Sequence, residues 1–194
     1  MKQILFLGDS ITQYAFNIEM KGFCAQLAND YTRRVDIINR GFSGYNSKQI
    51  LGYIQEILRS FHSAHLGFLF LGANDAAGDS QGVQLAEFSQ NMGRIVEELQ
   101  KQVKRVILVT PPPVGEYEHR RNSVTKQYRD AVLLLARERG LAAIDLYSVF
   151  GADFKEKLAD ELHLNALGNT LVYREIQKCL GDEMEEFLPE WRLA

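Results

Sequence analysis

The stretch Ile4-Leu5-Phe6-Leu7-Gly8-Asp9-Ser10-Ile11-Thr12 determines how the start of the chain folds. Four consecutive apolar residues predict a strand buried on both faces, as in a parallel sheet that is covered by helices. The glycine and aspartate that follow predict a turn, which places a serine hydroxyl where the strand opens into a loop. Ligands of open α/β sheets bind beyond the carboxyl ends of the strands. Ser10 is therefore the leading candidate nucleophile.

Short apolar runs alternate with longer segments of helical periodicity along the rest of the chain. This alternation predicts βαβ units and a parallel sheet with helices on both faces. The predicted strands are Ile4–Leu7, Val35–Ile38, Leu66–Leu71, Arg105–Thr110 and Ala142–Asp145. The predicted helices are Gly22–Arg33, Ser47–Ser60, Leu85–Gln102, Ser123–Arg139 and Ala166–Leu180. The sequence thus predicts a three-layer α/β/α domain with a central five-stranded parallel sheet.

Length and composition bound the classes of protein to consider. The 194 residues are 46% hydrophobic, which suits one domain over residues 1–194 with a substantial core. The net charge is -3 and no basic stripe is present, so nucleic acid is not an expected partner. No segment reaches the roughly 18 apolar residues of a membrane span, and we expect a cytoplasmic protein. Cys24 and Cys179 lack metal-ligand spacing and are expected to be buried thiols.

The residues that follow the predicted strands carry most of the candidate chemistry. Asn39-Arg40-Gly41-Phe42-Ser43-Gly44 follows the second strand, Gly72-Ala73-Asn74-Asp75 the third and Pro111-Pro112-Pro113 the fourth. Near the end of the chain, Asp160-Glu161-Leu162-His163 puts a carboxylate three residues before an imidazole, close enough for one side chain to steady the other. A serine nucleophile needs a base and needs donors for the oxyanion that its attack creates. These segments offer candidates for both.

Taken in order, these blocks resemble those of the SGNH subgroup of the GDSL hydrolases, which supply Ser, Gly, Asn and His in succession. Here the four residues are Ser10, Gly44, Asn74 and His163. The longer strings Asn-Arg-Gly-Phe-Ser-Gly-Tyr-Asn, Gly-Ala-Asn-Asp-Ala and Thr-Pro-Pro-Pro-Val look like the isoamyl acetate-hydrolysing esterase branch. The matching blocks span nearly the whole chain. The resemblance implies the SGNH hydrolase fold, with the strand order of flavodoxin.

The resemblance also implies a serine esterase that needs neither a cofactor nor a metal. Ser10 would attack an ester carbonyl, His163 would act as general base, and Asp160 would orient the imidazole. The backbone N–H groups of Ser10 and Gly44 and the side-chain amide of Asn74 would hold the oxyanion. Glycine at position 44 lets the backbone approach a substrate closely. An amide at position 74 donates a hydrogen bond, which an ionised carboxylate does not.

The sequence constrains the identity of the ester substrate less than it constrains the type of reaction. We expect a small-molecule ester with a short acyl chain, in a pocket formed by the apolar residues near the motifs. These residues are Phe42, Val114, Tyr147 and Leu162. The same triad would also serve a lysophospholipase, a thioesterase or a carbohydrate acetylesterase. A binding module without catalysis is disfavoured because Ser10, Asp160 and His163 are all intact.

Other histidines are excluded from the triad by their context. His62 and His65 flank a predicted helix end, where an imidazole suits the helix dipole, and His119 lies in a charged loop. Asp160, three residues before His163, selects that histidine instead.

Three further residues near the motifs are expected to be structural. Ser43 resembles the serine of a Gly-x-Ser-x-Gly elbow, but Tyr45 takes the place of the closing glycine. Asp9 and Asp75 lie on separate loops without further ligands, so we expect them to fix the loops by hydrogen bonds and not to hold a metal.

The C-terminal tail, residues 181–194, follows the last predicted helix. It is acidic yet carries Phe187, Leu188, Trp191 and Leu193. Exposed apolar groups tend to dock on a protein surface. Two alternatives remain open, which are packing on the tail's own domain and packing across a homodimer.

Overall fold

The central sheet of the computed structural model, which describes residues 2–181, contains five parallel strands. They are β1 (Lys2–Gly8), β2 (Val35–Gly41), β3 (Ala64–Phe70), β4 (Val103–Val109) and β5 (Ala142–Ile144). Their order is β2-β1-β3-β4-β5, and each neighbouring pair is parallel. The predicted fold class and the flavodoxin order are confirmed. Each predicted strand is present, with ends that differ by at most three residues.

The helices connect the strands and cover both faces of the sheet. They are α1 (Ser10–Gln13), α2 (Phe23–Asp30), α3 (Ser47–Gly52), α4 (Ile54–Arg59), α5 (Leu85–Leu99), α6 (Asn122–Arg139), α7 (Leu146–Phe150) and α8 (Ala166–Leu180). Short 3₁₀ turns cover Tyr14–Phe16 and Phe154–Lys157. The single helix predicted over Ser47–Ser60 is divided into α3 and α4 at Tyr53, directly after Gly52, a residue of low helix propensity.

The sheet is buried on both faces because successive side chains of each strand point in opposite directions. In β1, Ile4 and Phe6 belong to the core beneath α2 and α8, whereas Leu5 and Leu7 belong to the core beneath α3 to α6. Phe6 stacks on Phe68 of β3, with ring centroids 4.7 Å apart. Each such side chain contributes about 1.5–3 kcal/mol when fully buried. This double burial explains the continuous apolar run at the start of the chain.

The ends of β1 and β2 meet α1 at very close range. Gly8 and Gly41 are paired in register at the carboxyl ends of the two strands. A Cβ built on Gly41 would lie 2.0 Å from the backbone nitrogen of Gln13 in α1. The side chain of Asn39 adds a 2.6 Å hydrogen bond from Nδ2 to the carbonyl of Thr12. α1, the helix that begins at Ser10, is therefore fixed against the end of β2.

Both cysteines are free thiols. Cys24 is buried and Cys179 is half-buried. Burial raises the pKa of the Cys24 thiol above its ordinary value. Across residues 2–181, none of the helices combines the length and the apolar character needed to cross a membrane. The predicted tail lies outside the described residues, except for Gly181.

We expect Gly41→Ala to destabilise the fold by about 1–3 kcal/mol, because the added methyl group meets backbone atoms that cannot move aside. Urea unfolding followed by circular dichroism would measure this. Gly52→Ala is the matched control, since a Cβ at Gly52 meets no heavy atom within 4 Å. Equal stability of the Gly41→Ala and wild-type proteins would contradict the close approach described above.

Candidate active site

Ser10 lies at the junction between β1 and α1. Asp9 caps α1, and its Oδ1 accepts a 2.9 Å hydrogen bond from the backbone N–H of Ile11, a favoured arrangement at a helix start. Ser10 is therefore the first residue of α1 and follows the carboxyl end of β1 by two positions. Its side chain is almost buried, at 4% exposure. The hydroxyl is thus held on a rigid element and not on a free loop.

His163 and Asp160 reach Ser10 from the loop that precedes α8. His163 Nε2 lies 3.0 Å from Ser10 Oγ, and His163 Nδ1 lies 2.8 Å from Asp160 Oδ2. An ionised carboxylate only accepts hydrogen bonds, so Nδ1 of the neutral imidazole carries the proton and Nε2 is left as an acceptor. This acceptor faces the Ser10 hydroxyl, which is the geometry that a general base needs.

Asp160 also organises the loop on which it lies. Its Oδ1 accepts from the backbone N–H groups of Leu162, at 2.7 Å, and His163, at 2.6 Å. Partial burial acts to raise the pKa of Asp160, but the hydrogen bonds from His163 and Leu162 outweigh it and hold that pKa below its ordinary value. The carboxyl group is therefore ionised at neutral pH and faces the imidazole through the 2.8 Å contact of its Oδ2 with Nδ1.

Gly44 and Asn74 lie on the loops that flank Ser10. Gly8 of β1 is paired with Gly41 of β2 and with Phe70 of β3, so the three strands end at the same level. Gly44 follows β2 and has a φ of +81°, a conformation that favours glycine. Asn74 follows β3, is 2% exposed, and donates from Nδ2 to the carbonyl of Tyr45 at 2.8 Å. The segment after Gly44 is thereby tied to Asn74.

Two residues that the sequence did not indicate contact this pair of loops. Arg120 donates from Nη2 to Asn74 Oδ1 at 3.1 Å and to Gln81 Oε1 at 2.7 Å. Arg120 also donates from Nη1 to the carbonyl of Ala73. Gln81 in turn donates from Nε2 to the carbonyl of Gly44 at 2.9 Å. In the sequence Arg120 belongs to a charged loop, and no periodicity or motif links it to Asn74, which lies 46 positions earlier.

Asp9 and Asp75 make the hydrogen bonds expected of them. Asp75 is fully buried, and its Oδ1 accepts from the backbone N–H of Ser47 at 2.8 Å, which fixes the start of α3. Burial raises the pKa of Asp9 to about 7, with a further increase from the Asp75 charge, while the Ile11 N–H and Arg120 oppose it. Among residues 2–181, the second carboxyl oxygens of both aspartates are buried without a hydrogen-bond partner. Two buried carboxyl groups and the Arg120 guanidinium are thus close enough to influence the protonation of Asp9.

A cavity of about 370 Å³ opens beside His163. Its walls come from the segment after Ser10, from the loop around Asp160 and from the start of α8. The lining residues are Ile11, Tyr14, Asn17, Met20, Ala159, Asp160, His163, Leu164 and Asn169. Tyr14 also meets the His163 ring in a T-shaped contact, with centroids 5.5 Å apart.

None of the four side chains expected to form a pocket lines this cavity. Val114 and Leu162 are buried in the core cluster beneath α8, at 1% and 5% exposure. Phe42 stacks on Tyr45, and the Tyr147 hydroxyl donates to the carbonyl of Asn122 at 3.4 Å. Closeness to a motif in sequence does not determine which face of a loop a side chain occupies.

No metal-binding cluster accompanies these groups within the part of the chain that the structure describes. No three His, Cys, Asp or Glu side chains there lie close enough together to hold an ion. His62 and His65 stay apart from Ser10, since they line a different depression at the opposite end of β3.

Residues 6–171 match the model of the GDSL-like lipase/acylhydrolase family. The chain belongs to this family. The isoamyl acetate-hydrolyzing esterase 1 homolog of Bos taurus is 34% identical, over 98% of this chain and 87% of the relative. The isoamyl acetate-hydrolyzing esterase of Saccharomyces cerevisiae is 31% identical, over 98% of this chain and 89% of the relative. The chain is accordingly a carboxylic ester hydrolase.

Solved structures agree with the fold of this GDSL hydrolase. An acetylxylan esterase from Geobacillus stearothermophilus superposes with a TM-score of 0.78 at 21% identity, covering 98% of this chain and 97% of the other. A lipase/acylhydrolase from Enterococcus faecalis gives 0.78 at 23% identity, covering 99% and 100%. At these identities the likeness supports the fold alone.

The burial of Asp9 predicts a pH-dependent stability for this GDSL hydrolase. The pKa of Asp9 is about 7 in the folded protein and close to the ordinary value of 3.8 in the unfolded chain. Between these values the folded state binds a proton that the unfolded state has lost, so the stability that Asp9 contributes falls as pH rises. It is fully present below about pH 4 and lost above about pH 7.

We therefore expect the free energy of unfolding of the wild type to fall, relative to that of Asp9→Asn, as the pH rises from about 4 to about 7. The expected slope is about 1.4 kcal/mol per pH unit. Urea unfolding of both proteins from pH 4 to pH 8 would measure the difference. Asp36→Asn, which removes an exposed carboxylate of β2, is the control. A difference between wild type and Asp9→Asn that does not change with pH would contradict the buried, protonated state of Asp9.

Proposed function

We propose that this GDSL hydrolase cleaves short-chain, acetate-type carboxylic esters through a Ser10–His163–Asp160 triad and an acyl-enzyme intermediate. The observation that carries the proposal is the continuous series of hydrogen-bonding distances, 3.0 Å from Ser10 Oγ to His163 Nε2 and 2.8 Å from His163 Nδ1 to Asp160 Oδ2. A hydroxyl becomes an effective nucleophile when an adjacent base takes its proton. The series supplies that base and the group that orients it.

In the acylation step, Ser10 Oγ forms a bond to the ester carbonyl carbon while its proton moves to His163 Nε2. The resulting imidazolium is stabilised by the ionised Asp160 carboxylate. When the tetrahedral intermediate collapses, the carbon–oxygen bond to the alcohol breaks and His163 gives its proton to the departing oxygen. The acyl group remains on Ser10 as an ester.

In the deacylation step, water takes the place of the alcohol. His163 removes a proton from the water as its oxygen attacks the acyl carbon, and it then returns that proton to Ser10 Oγ as the carboxylic acid leaves. The balance of atoms needs only the ester and water. No cofactor enters either step.

The oxyanion that forms in both steps would be held by the backbone N–H groups of Ser10 and Gly44 and by Asn74 Nδ2. The support is that Gly44 and Asn74 lie on the two loops that flank Ser10 and that hydrogen bonds join these loops. Tyr45 uses one of the two Nδ2 hydrogens of Asn74, so one further hydrogen is available for an oxyanion. Donors fixed before the reaction stabilise the developing charge at no reorganisation cost.

The cavity beside His163 supports an ester substrate whose alcohol part is small and apolar. His163 must deliver a proton to the departing alcohol, so that alcohol has to lie on the His163 side of the carbonyl. The walls include Ile11, Met20 and Leu164, and about 370 Å³ is at the small end of ligand cavities. Relatives at 31–34% identity are named for hydrolysis of isoamyl acetate, an ester of this kind. The names of these relatives favour such an ester over a sugar acetate.

We expect Ser10→Ala to lower kcat for p-nitrophenyl acetate by at least about 1,000-fold, because the nucleophile is removed. The release of p-nitrophenol, followed by absorbance, measures this. Ser43→Ala is the matched control, since Ser43 is exposed and only its backbone N–H is used in its 2.7 Å bond to Gln13 Oε1. Ser10→Ala activity similar to that of Ser43→Ala would refute the proposed function.

We also expect kcat/KM to fall by about tenfold or more from p-nitrophenyl acetate to p-nitrophenyl octanoate, with butyrate between them. The alcohol occupies the cavity beside His163, so a long acyl chain would have to compete for the same apolar walls or stay in water. The leaving group is identical across the series, which isolates the acyl chain. A kcat/KM on octanoate equal to or above that on acetate would instead favour the lysophospholipase alternative.

A further inference from the structure

Behind the two loop donors lies a pair of residues for which the proposed mechanism has no role. We infer that Arg120 and Gln81 form a clamp, the Arg120–Gln81 clamp, that positions Gly44 and Asn74 for oxyanion stabilisation. The inference rests on the proposed function. The two residues are positioning residues, because they contact the donors and not the ester.

Arg120 and the Tyr45 carbonyl together determine which way the Asn74 amide faces. An amide side chain has an oxygen and a nitrogen of nearly equal size, and a half-turn exchanges them. The guanidinium group has only donors, so its 3.1 Å contact from Nη2 requires the oxygen of Asn74 at that place. The nitrogen then faces the carbonyl of Tyr45 at 2.8 Å, with its second hydrogen available for an oxyanion. With the opposite orientation, an acceptor would face the developing negative charge.

Gln81 extends the clamp to Gly44. Its Oε1 accepts from Arg120 at 2.7 Å and its Nε2 donates to the Gly44 carbonyl at 2.9 Å, so one side chain joins the guanidinium to the second loop. The backbone of Gln81 also accepts a 2.9 Å hydrogen bond from Asn46 Nδ2. Glycine has the widest conformational freedom of any residue, and Gly44 is exposed, so its geometry depends on such external contacts.

The clamp joins segments that are distant in sequence. Gly44 follows β2, Asn74 and Gln81 follow β3, and Arg120 follows β4. No local turn could hold the donors of two different loops in a fixed relation to each other. Stabilisation of an oxyanion requires donors that are already in place when charge develops. The charge exists in the transition state and not in the bound ester, so loss of the clamp should lower kcat and leave KM nearly unchanged.

The test compares the kinetics of Arg120→Ala, Gln81→Ala and the double variant on p-nitrophenyl acetate. We expect kcat to fall by about 100-fold for Arg120→Ala, the loss associated with one oxyanion donor, with KM within about threefold of the wild type. The double variant should lose no more than about twofold beyond Arg120→Ala, because both substitutions break one network. Methylguanidinium in solution should restore part of the kcat of Arg120→Ala.

Three controls separate this role from a merely structural one. Arg121→Ala removes the neighbouring guanidinium, whose Nη1 donates to the carbonyls of Glu118 and Arg120, and should keep wild-type kcat. Asn74→Ala should lose kcat as Arg120→Ala does but should not respond to methylguanidinium. The Arg120 charge also acts on the buried Asp9 carboxyl and lowers its pKa, so the loss is measured again in the Asp9→Asn background, where it should persist.

Two results would overturn the clamp. One is a kcat of Arg120→Ala within about threefold of the wild type while Asn74→Ala is impaired. The other is a loss of kcat that disappears in the Asp9→Asn background or that comes with a lower Tm and no response to methylguanidinium. Retained activity in Ser10→Ala would overturn the proposed function itself, so the two failures are distinguishable.

Discussion

The candidate site depends on one constraint, which is that β1 lies between β2 and β3 with all three strands parallel and ending at the same level. Ser10 follows β1 by two residues, so the loops after β2 and β3 must lie on either side of it. Gly44 and Asn74 are on those two loops. The close fit of α1 on Gly41 then sets the height of Ser10 above the sheet edge. The parallel pairing of β1 with β2 and β3 within the sheet is therefore also what brings three polar segments together.

The surroundings of Asp160 and Asp9 determine whether each carboxyl group is ionised or neutral. Asp160 is partly exposed and receives three hydrogen bonds from Leu162 and His163, so the ionised form is favoured. Asp9 is buried with a single backbone donor to Oδ1, and desolvation favours the neutral form. The first carboxyl group can stabilise an imidazolium at neutral pH. The second contributes a rigid helix cap, and its cost in stability rises as the pH increases.

Much of the fold and part of the site could be predicted from the sequence. The apolar runs are long enough to show strands buried on both faces, and the segments between them show helical periodicity, so the layers follow. Helices of four or five residues, such as α1 and α7, are too short to show a period. The break at Tyr53 depends on local backbone geometry and not on the apolar pattern.

At the site, the motifs predicted correctly that His163 and Asp160 lie beside each other and close to Ser10, because each motif follows a strand or precedes a helix at one sheet edge. The pocket was not predictable in the same way. Val114 and Leu162 are apolar and near the motifs, but both side chains are buried in the hydrophobic core. Arg120 was not predictable either, since its partners lie on loops separated from it by whole strands and helices. Sequence patterns do not show which side chains of different loops face each other.

The two sides of Ser10 differ in a way that orients an ester under the proposed mechanism. On one side the His163 side chain is 30% exposed and borders an open cavity whose walls include apolar side chains. On the other side Asn74 is 2% exposed and is held by a charged network. A departing alcohol needs a proton from His163 and room to leave, whereas an oxyanion needs fixed donors and little water. The carbonyl oxygen therefore belongs on the Asn74 side and the alcohol on the His163 side. Rigidity is needed only on the Asn74 side, and that is the side on which Arg120 joins the loops that follow three strands.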